Sequence, residues 1–132
     1  MNKEFIPYEL ALELKQLGFH EPCFKYTYTG DTGNNVNIPC EVVPSSAKNY
    51  NEDDLCVSTP TYSQAFRWFR EKHNMPSKIE ATFEHETPNQ YHYFYQIMTD
   101  DFIGGDGVRL KWTYEEAELS CLKQLIEIAK TK

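Results

Sequence analysis

The chain has 132 residues, of which 40% are hydrophobic and 25% are charged. This composition is typical of a globular protein and excludes a wholly disordered chain, and the length suits one hydrophobic core. The formal net charge of −7 disfavours non-specific attraction to nucleic acid or to an anionic membrane. We therefore expect a soluble protein with a single domain over residues 1–132.

The first residues lack the charged and apolar regions of a signal peptide, and no apolar run is long enough to cross a membrane. We therefore expect a cytoplasmic protein. The four cysteines, Cys23, Cys40, Cys56 and Cys121, include no closely spaced pair of the kind that holds zinc. Because thiols stay reduced without export, we predict free cysteines, no metal and no cofactor.

The first predicted element is a helix that begins near Pro7, a residue that suits the first helical turn. Leu10, Leu14 and Leu17 recur at helical spacing and predict a stripe that faces the core. Gly18 follows directly, and glycine favours the left-handed conformation that ends many helices.

Two strands are predicted next. Residues 23–29 are rich in aromatic residues and threonine, the polar run at 30–35 predicts a turn, and residues 36–43 predict a returning strand. Pro39 lacks a backbone donor, so the second strand should lie at a sheet edge. The polar stretch at 44–59 predicts a surface loop.

A second helix is predicted after this loop. Ser58 or Thr59 is expected to cap it and Pro60 to occupy its first turn, while Asn74 and Pro76 end it. A core-facing stripe repeats along it at helical spacing: Tyr62, Ala65, Phe66 and Phe69.

A hairpin and a further strand are predicted in the next part of the chain. Residues 78–84 and 91–99 form the hairpin around a loop at 87–90. Both faces of 91–99 carry apolar residues, which predicts either a central strand or a contact surface on one side. The glycine- and aspartate-rich run at 100–107 predicts a loop, and residues 108–112 predict a third strand.

The last predicted element is a helix that Thr113 and Glu116 begin with a capping box. Its wide apolar face comprises Ala117, Cys121, Leu122, Leu125, Ile128 and Ala129. Together the elements predict an α+β fold in the order α-β-β-α-β-β-β-α, with an antiparallel sheet packed by helices.

Three stretches, residues 5–11, 64–70 and 113–118, resemble those of a family of small hypothetical proteins of gut anaerobic bacteria and their prophages. The resemblance spans most of the chain. It implies an intracellular, phage-linked accessory protein, but it implies no activity and no functional residue.

A second resemblance concerns the order of elements. From residue 60 onward, helix–strand–strand–strand–helix resembles the layout of a double-stranded-RNA-binding domain, with Gly105-Asp106-Gly107 in the loop before the third strand. That family carries a basic cluster at the start of its last helix, where this chain has Glu115, Glu116 and Glu118. These carboxylates would repel RNA, so the topology can hold while the function does not.

Aromatic residues and arginines supply the candidate binding surface. Trp68 lies between Arg67 and Arg70 on the second predicted helix, and tryptophan with arginine dominates binding hot spots. The favoured interpretation is that Trp68 packs beneath the 44–59 loop while both arginines stay in solvent or pair with acidic residues. The next candidates for an exposed aromatic face are Tyr93, Tyr95 and Trp112.

No catalytic motif is present: the sequence contains no GxSxG, HExxH or P-loop pattern. His85 and His92, with Glu84 or Glu86, could form an acid–base pair or a weak metal site, but two exposed histidines near a loop is the favoured interpretation. Asp100, Asp101 and Asp106 could ligate Ca²⁺, but an ordinary acidic turn is favoured there. We therefore predict no catalytic residue and a non-enzymatic accessory protein that binds another protein. The alternative is a nucleic-acid-binding module of double-stranded-RNA-binding-like topology.

Overall fold

The computed structural model describes residues 4–29, 38–42, 46–83, 91–99, 103–106 and 112–131. Within these ranges the fold is α+β, as predicted, with three α-helices and six strands. The strands form two antiparallel three-stranded sheets where the sequence predicted one. The chain divides into two compact units, Met1–Gln64 and Ala65–Lys132. The prediction of a single domain stays a prediction.

The first helix, α1 (Tyr8–Gln16), follows its predicted pattern, with Leu10 and Leu14 buried. Gly18 has a φ of 97°, the left-handed region that glycine enters without strain. Its N–H donates to the Lys15 carbonyl at 3.1 Å, and the next N–H, of the buried Phe19, donates to the Leu14 carbonyl at 2.9 Å. The predicted helix end is therefore confirmed, because this pair of bonds satisfies carbonyls that the helix leaves open.

The first sheet has the order β2-β1-β3, from β1 (Lys25–Tyr28), β2 (Ile38–Glu41) and β3 (Cys56–Ser58). Pro39 lies in the edge strand β2, as predicted. The predicted loop at 44–59 is wrong in part, because β3 and a 3-10 helix at Tyr50–Glu52 lie inside it. All three β3 residues are buried, and three residues are too few to show the alternation that marks a strand.

The second helix, α2 (Tyr62–Lys72), begins two residues later than Pro60, where the sequence predicted its first residue. The Thr61 hydroxyl accepts a hydrogen bond from the Gln64 N–H at 3.1 Å, so Thr61 caps the helix and the predicted caps Ser58 and Thr59 are wrong. Ser58 belongs to β3 instead. Asn74 has a φ of 54° just beyond the helix, which confirms that the chain leaves the helical conformation there.

The second sheet has the order β4-β5-β6, from β4 (Ser77–Phe83), β5 (Tyr91–Met98) and β6 (Ile103–Asp106). The central position of β5 confirms the prediction. β6 lies where the sequence predicted a loop, because pairing with β5 outweighs the low strand propensity of its two glycines. The predicted turn at 30–35, loop at 87–90 and most of the strand at 108–112 lie outside the described residues.

The last helix, α3 (Tyr114–Lys130), begins with the predicted capping box. The Thr113 hydroxyl accepts from the Glu116 N–H at 3.2 Å, and the Glu116 carboxylate accepts from the Thr113 N–H at 2.9 Å. Its buried face packs on β4 and β5: Ala117, Cys121, Leu122, Leu125, Ile126 and Ala129. In the part of the chain that the structure describes, no helix is long and apolar enough to cross a membrane.

Candidate binding sites

The structure separates the residues that the sequence predicted as a binding surface. Arg67 and Arg70 are exposed on α2. Trp68 is only 4% exposed, and its ring meets the rings of Phe69 and His73 edge-on at 5.0 and 4.7 Å. The favoured interpretation of a buried Trp68 beside two exposed arginines is therefore confirmed as to burial, and the candidate role of Trp68 in a binding surface is corrected.

The three remaining candidates lie together on the second sheet. Tyr93 and Trp112 are half-buried, and the Tyr93 N–H donates to the Trp112 carbonyl at 3.0 Å. Tyr95 is buried, which corrects its predicted exposure, and its ring lies parallel to the Trp112 ring with centroids 6.1 Å apart. Tyr95 therefore packs beside Trp112 as a buried residue and does not itself form part of a surface.

Two exposed tyrosines complete this region. Tyr114, at the start of α3, is 45% exposed and meets the Tyr93 ring edge-on at 5.4 Å. Tyr91 is 59% exposed and shares the Tyr93 face of β5, because side chains two residues apart in a strand point the same way. We call Tyr91, Tyr93, Trp112 and Tyr114 the aromatic surface.

Acidic side chains border the aromatic surface. Burial raises the pKa of Glu118 to about 7, and the nearby Glu115 carboxylate adds to the rise. Burial also raises the pKa of Tyr114, and the charge of Glu118 acts in the same direction. The border of the surface is therefore negative when Glu118 is ionised and loses charge as the pH falls below neutral.

A cleft of about 820 Å³ opens in the first unit. Its lining combines tyrosine rings with carboxylates: Tyr26, Tyr28, Lys48, Asn49, Tyr50, Glu52, Asp53, Asp54, Leu55 and Cys56. We call it the tyrosine cleft. This volume lies within the range of small-molecule and side-chain binding sites.

Strand alternation and a hydrogen-bonded turn build the tyrosine cleft. Tyr26 and Tyr28 lie two residues apart on β1 and therefore share one face of the first sheet. The Ser58 hydroxyl accepts from the Tyr50 N–H at 2.9 Å, and Asn51 accepts from the Ser58 N–H at 2.8 Å. These bonds hold the Tyr50 ring parallel to the Tyr26 ring, with centroids 4.0 Å apart and an angle of 17° between them.

The charges around the tyrosine cleft are unbalanced. Glu52, Asp53 and Asp54 are exposed at its rim. They are opposed by the ammonium of Lys48 and by that of Lys15, which donates to the Asp53 and Cys56 carbonyls at 3.0 and 2.6 Å. The Lys48 ammonium lies 5.1 Å from the centre of the Tyr50 ring, within the range of a cation–π contact. The cleft therefore carries an excess of negative charge beside aromatic rings.

The three buried cysteines, Cys23, Cys56 and Cys121, are poorly placed to act as nucleophiles. All four are free, and burial raises the pKa of Cys23 and of Cys121 to about 12. Burial also raises the pKa of Cys56, which lines the tyrosine cleft. Because the thiolate is the reactive form, these thiols are poorly suited to nucleophilic catalysis at neutral pH.

Metal-ligating side chains do not cluster in the described ranges, where no three histidine, cysteine, aspartate or glutamate residues are placed to share a metal ion. His92 is half-buried on β5. Its predicted partners, His85, Glu84 and Glu86, lie outside the described residues, so the acid–base pair stays a prediction.

The sequence did not predict the tyrosine cleft. The signal that was available is local: a tyrosine pair two residues apart at 26 and 28, and a polar run from 48 to 54 that contains a single tyrosine. That run was interpreted as part of a loop, and nothing in the sequence indicates that it folds back onto β1.

Comparison with known proteins gives no relative: no family model, curated protein or solved structure matches the chain.

The position of Trp68 predicts a stability effect. Trp68→Ala should lower the free energy of unfolding by about 3–5 kcal/mol, because it leaves a cavity among buried rings. Urea denaturation measures this change, with Arg67→Ala as an exposed control on the same helix that should stay within about 0.5 kcal/mol of the parent. An equally small effect of Trp68→Ala would contradict a core position.

The raised pKa of Glu118 predicts that the folding stability of the protein depends on pH. Its pKa is raised in the folded state, so its stabilising contribution is fully present below about 4.5 and is lost as the pH rises through about 7. Glu118→Gln should therefore stabilise the protein at pH 8 by about 1 kcal/mol, a value that allows for its partial contact with water. Denaturation at pH 8 and pH 4 measures the difference, which should vanish at the lower pH.

The matched control for this prediction is Glu127→Gln, which changes an exposed carboxylate on the same helix. It should alter stability by less than about 0.5 kcal/mol at both pH values. If the two variants behave alike, Glu118 is not held in an unfavourable environment.

Proposed function

We propose that the chain is a non-enzymatic protein-binding module that holds its partner on the aromatic surface of the second unit. The proposal rests on one observation: four aromatic side chains lie in one region. Tyr91 and Tyr114 are exposed there, and Tyr93 and Trp112 are half-buried. Cytoplasmic location and a phage-linked accessory role belong to the same proposal, and the resemblance of three stretches of the chain supports them.

The side chains of the aromatic surface are held in place by packing, and this favours binding. Aromatic rings bury a large area and lose little side-chain entropy, which is why they are common among binding hot spots. The edge-on contact of Tyr93 with Tyr114 and the parallel packing of Tyr95 under Trp112 hold these rings before a partner arrives. A surface that is already ordered loses less entropy on association.

Charge favours one class of partner. Glu115 and Glu118 lie close enough to the aromatic surface to influence Tyr114, and the whole chain carries a formal net charge of −7. Complementary charge steers association and disfavours wrong partners. The preferred partner is therefore a protein that presents lysine or arginine residues around an apolar patch.

A nucleic-acid-binding module is the second candidate. The order α2, β4, β5, β6, α3 with an antiparallel sheet is the observation that favours it, since it matches the layout of a double-stranded-RNA-binding domain. Against it stand Glu115, Glu116 and Glu118 at the start of α3, where phosphate groups would be repelled. We therefore rank this candidate below protein binding.

Partner capture tests the first candidate. The tagged chain is incubated with nuclease-treated bacterial lysate, and captured proteins are quantified by mass spectrometry. Replacing both Tyr91 and Tyr114 by alanine should reduce the captured partner at least about tenfold, because each aromatic anchor is worth more than about 1 kcal/mol.

Met98→Ala is the matched control, because Met98 is 43% exposed on the opposite face of the same strand. It should capture as much partner as the parent chain. Equal capture by all three proteins would place the contact elsewhere and overturn the proposed surface, provided that the variants unfold at the same temperature.

Fluorescence polarisation with duplex RNA tests the second candidate. The chain should give no salt-dependent increase at about 50 mM salt, because its last helix begins with carboxylates. Binding that weakens steeply between about 50 and 200 mM salt would reverse the ranking of the two candidates.

A further inference from the structure

We propose that the tyrosine cleft binds a lysine or arginine side chain on a basic peptide segment. This inference goes beyond the proposed function, because it assigns a second site in the first unit and the chemical class of its ligand. It rests on the stacked rings, on the lysine already seated there and on the carboxylates of the rim.

The stacked tyrosines supply the first part of the argument. The faces of aromatic rings are negative, so a cation is attracted to them, and the attraction increases where water is partly excluded. Tyr50 is only 8% exposed and stacks on Tyr26 at 4.0 Å, which fixes both rings in one orientation. The cleft thus offers a rigid aromatic wall.

Lys48 supplies the second part. Its ammonium lies 5.1 Å from the centre of the Tyr50 ring, so an alkylammonium group fits over this ring. The Lys48 side chain is exposed and forms no salt bridge with a described carboxylate. A ligand cation can therefore displace it at little cost, and Lys48 acts as an internal competitor.

The rim carboxylates supply the third part. Asp53 is fixed, because one of its oxygens accepts from the Leu55 N–H at 2.8 Å. Glu52 and Asp54 are exposed and form no salt bridge within the described part of the chain. These groups are placed to contact a cationic head group while the ring wall contacts its methylene stem.

The size and rim of the cleft favour a peptide over a free amine. About 820 Å³ is far more than one ammonium group fills, and Leu55 adds an apolar side chain that is 46% exposed. A peptide segment supplies the apolar stem, the charged head and neighbouring atoms that occupy such a space.

Fluorescence anisotropy with a dye-labelled heptapeptide of alternating glycine and lysine tests the proposal at about 150 mM salt, where weak long-range attraction is screened. Lys48→Met should increase affinity about threefold or more, because it removes the competing ammonium and its charge. The double variant Glu52→Gln and Asp54→Asn should decrease affinity by about the same factor. Both changes are at exposed positions, so loss of folding does not confuse the result.

Three controls make the outcomes decisive. The same peptide with glutamate in place of lysine should not bind, and Glu127→Gln, in the other unit, should leave affinity unchanged. The double variant Tyr91→Ala and Tyr114→Ala should also leave it unchanged, so failure of this site and failure of the proposed function are distinguishable.

Three results would overturn the proposal. The first is the absence of lysine-peptide binding at millimolar concentration, and the second is equal binding by the parent, Lys48→Met and the rim double variant. The third is displacement of the peptide by an equal concentration of N-acetyl-lysine methylamide, which would make the cleft a site for small amines and not for a peptide.

Discussion

The hydrogen bonds of Asn51 and Ser58 are the constraint on which the first unit depends. Asn51 donates to the Phe19 carbonyl at 2.8 Å and accepts from the Ser58 N–H at 2.8 Å, while the Ser58 hydroxyl accepts from the Tyr50 N–H at 2.9 Å. They connect the end of α1, the 3-10 helix and β3. Removing one partner would leave a buried polar group unsatisfied, which is costlier than the bond itself is favourable. The orientation of the Tyr50 ring, and with it the tyrosine cleft, follows from this network.

In the second unit, a helix cap and the alternation of a strand determine the position of the aromatic surface. The capping box of Thr113 and Glu116 fixes where α3 begins, and Tyr114, the first residue of this helix, contacts the ring of Tyr93 on the central strand β5. Alternation along β5 then decides which tyrosines are core and which are surface. Tyr95 is buried, whereas Tyr91 is exposed. The strand β5 thus provides both the buried Tyr95, which packs beside Trp112, and the exposed Tyr91 of the aromatic surface.

Local signals in the sequence were sufficient for the parts of the fold that depend on neighbouring residues. Gly18 and the Thr113–Glu116 pair act within one turn of helix, so the ends that they define were predictable. β3 and β6 were not, because each is short and exists only through pairing with a distant strand. Trp68 sits at the border of a helical stripe, where spacing alone does not separate core from surface. The tyrosine cleft was missed for the same reason as β3, since Tyr26 and Tyr50 meet only after the chain has folded back.

Net charge and exposed aromatic rings have opposite effects on the association of this protein with other molecules. Together they limit the proteins that can bind to it. Exposed tyrosines promote association with any apolar surface, including another copy of the chain, while a formal net charge of −7 makes copies of the chain repel one another. The carboxylates nearest the rings therefore have two roles, because they oppose self-association and attract a basic partner. Replacing them would remove both effects together. It follows that weaker binding and greater aggregation should occur in the same variants, and that specificity here depends on repulsion as much as on contact.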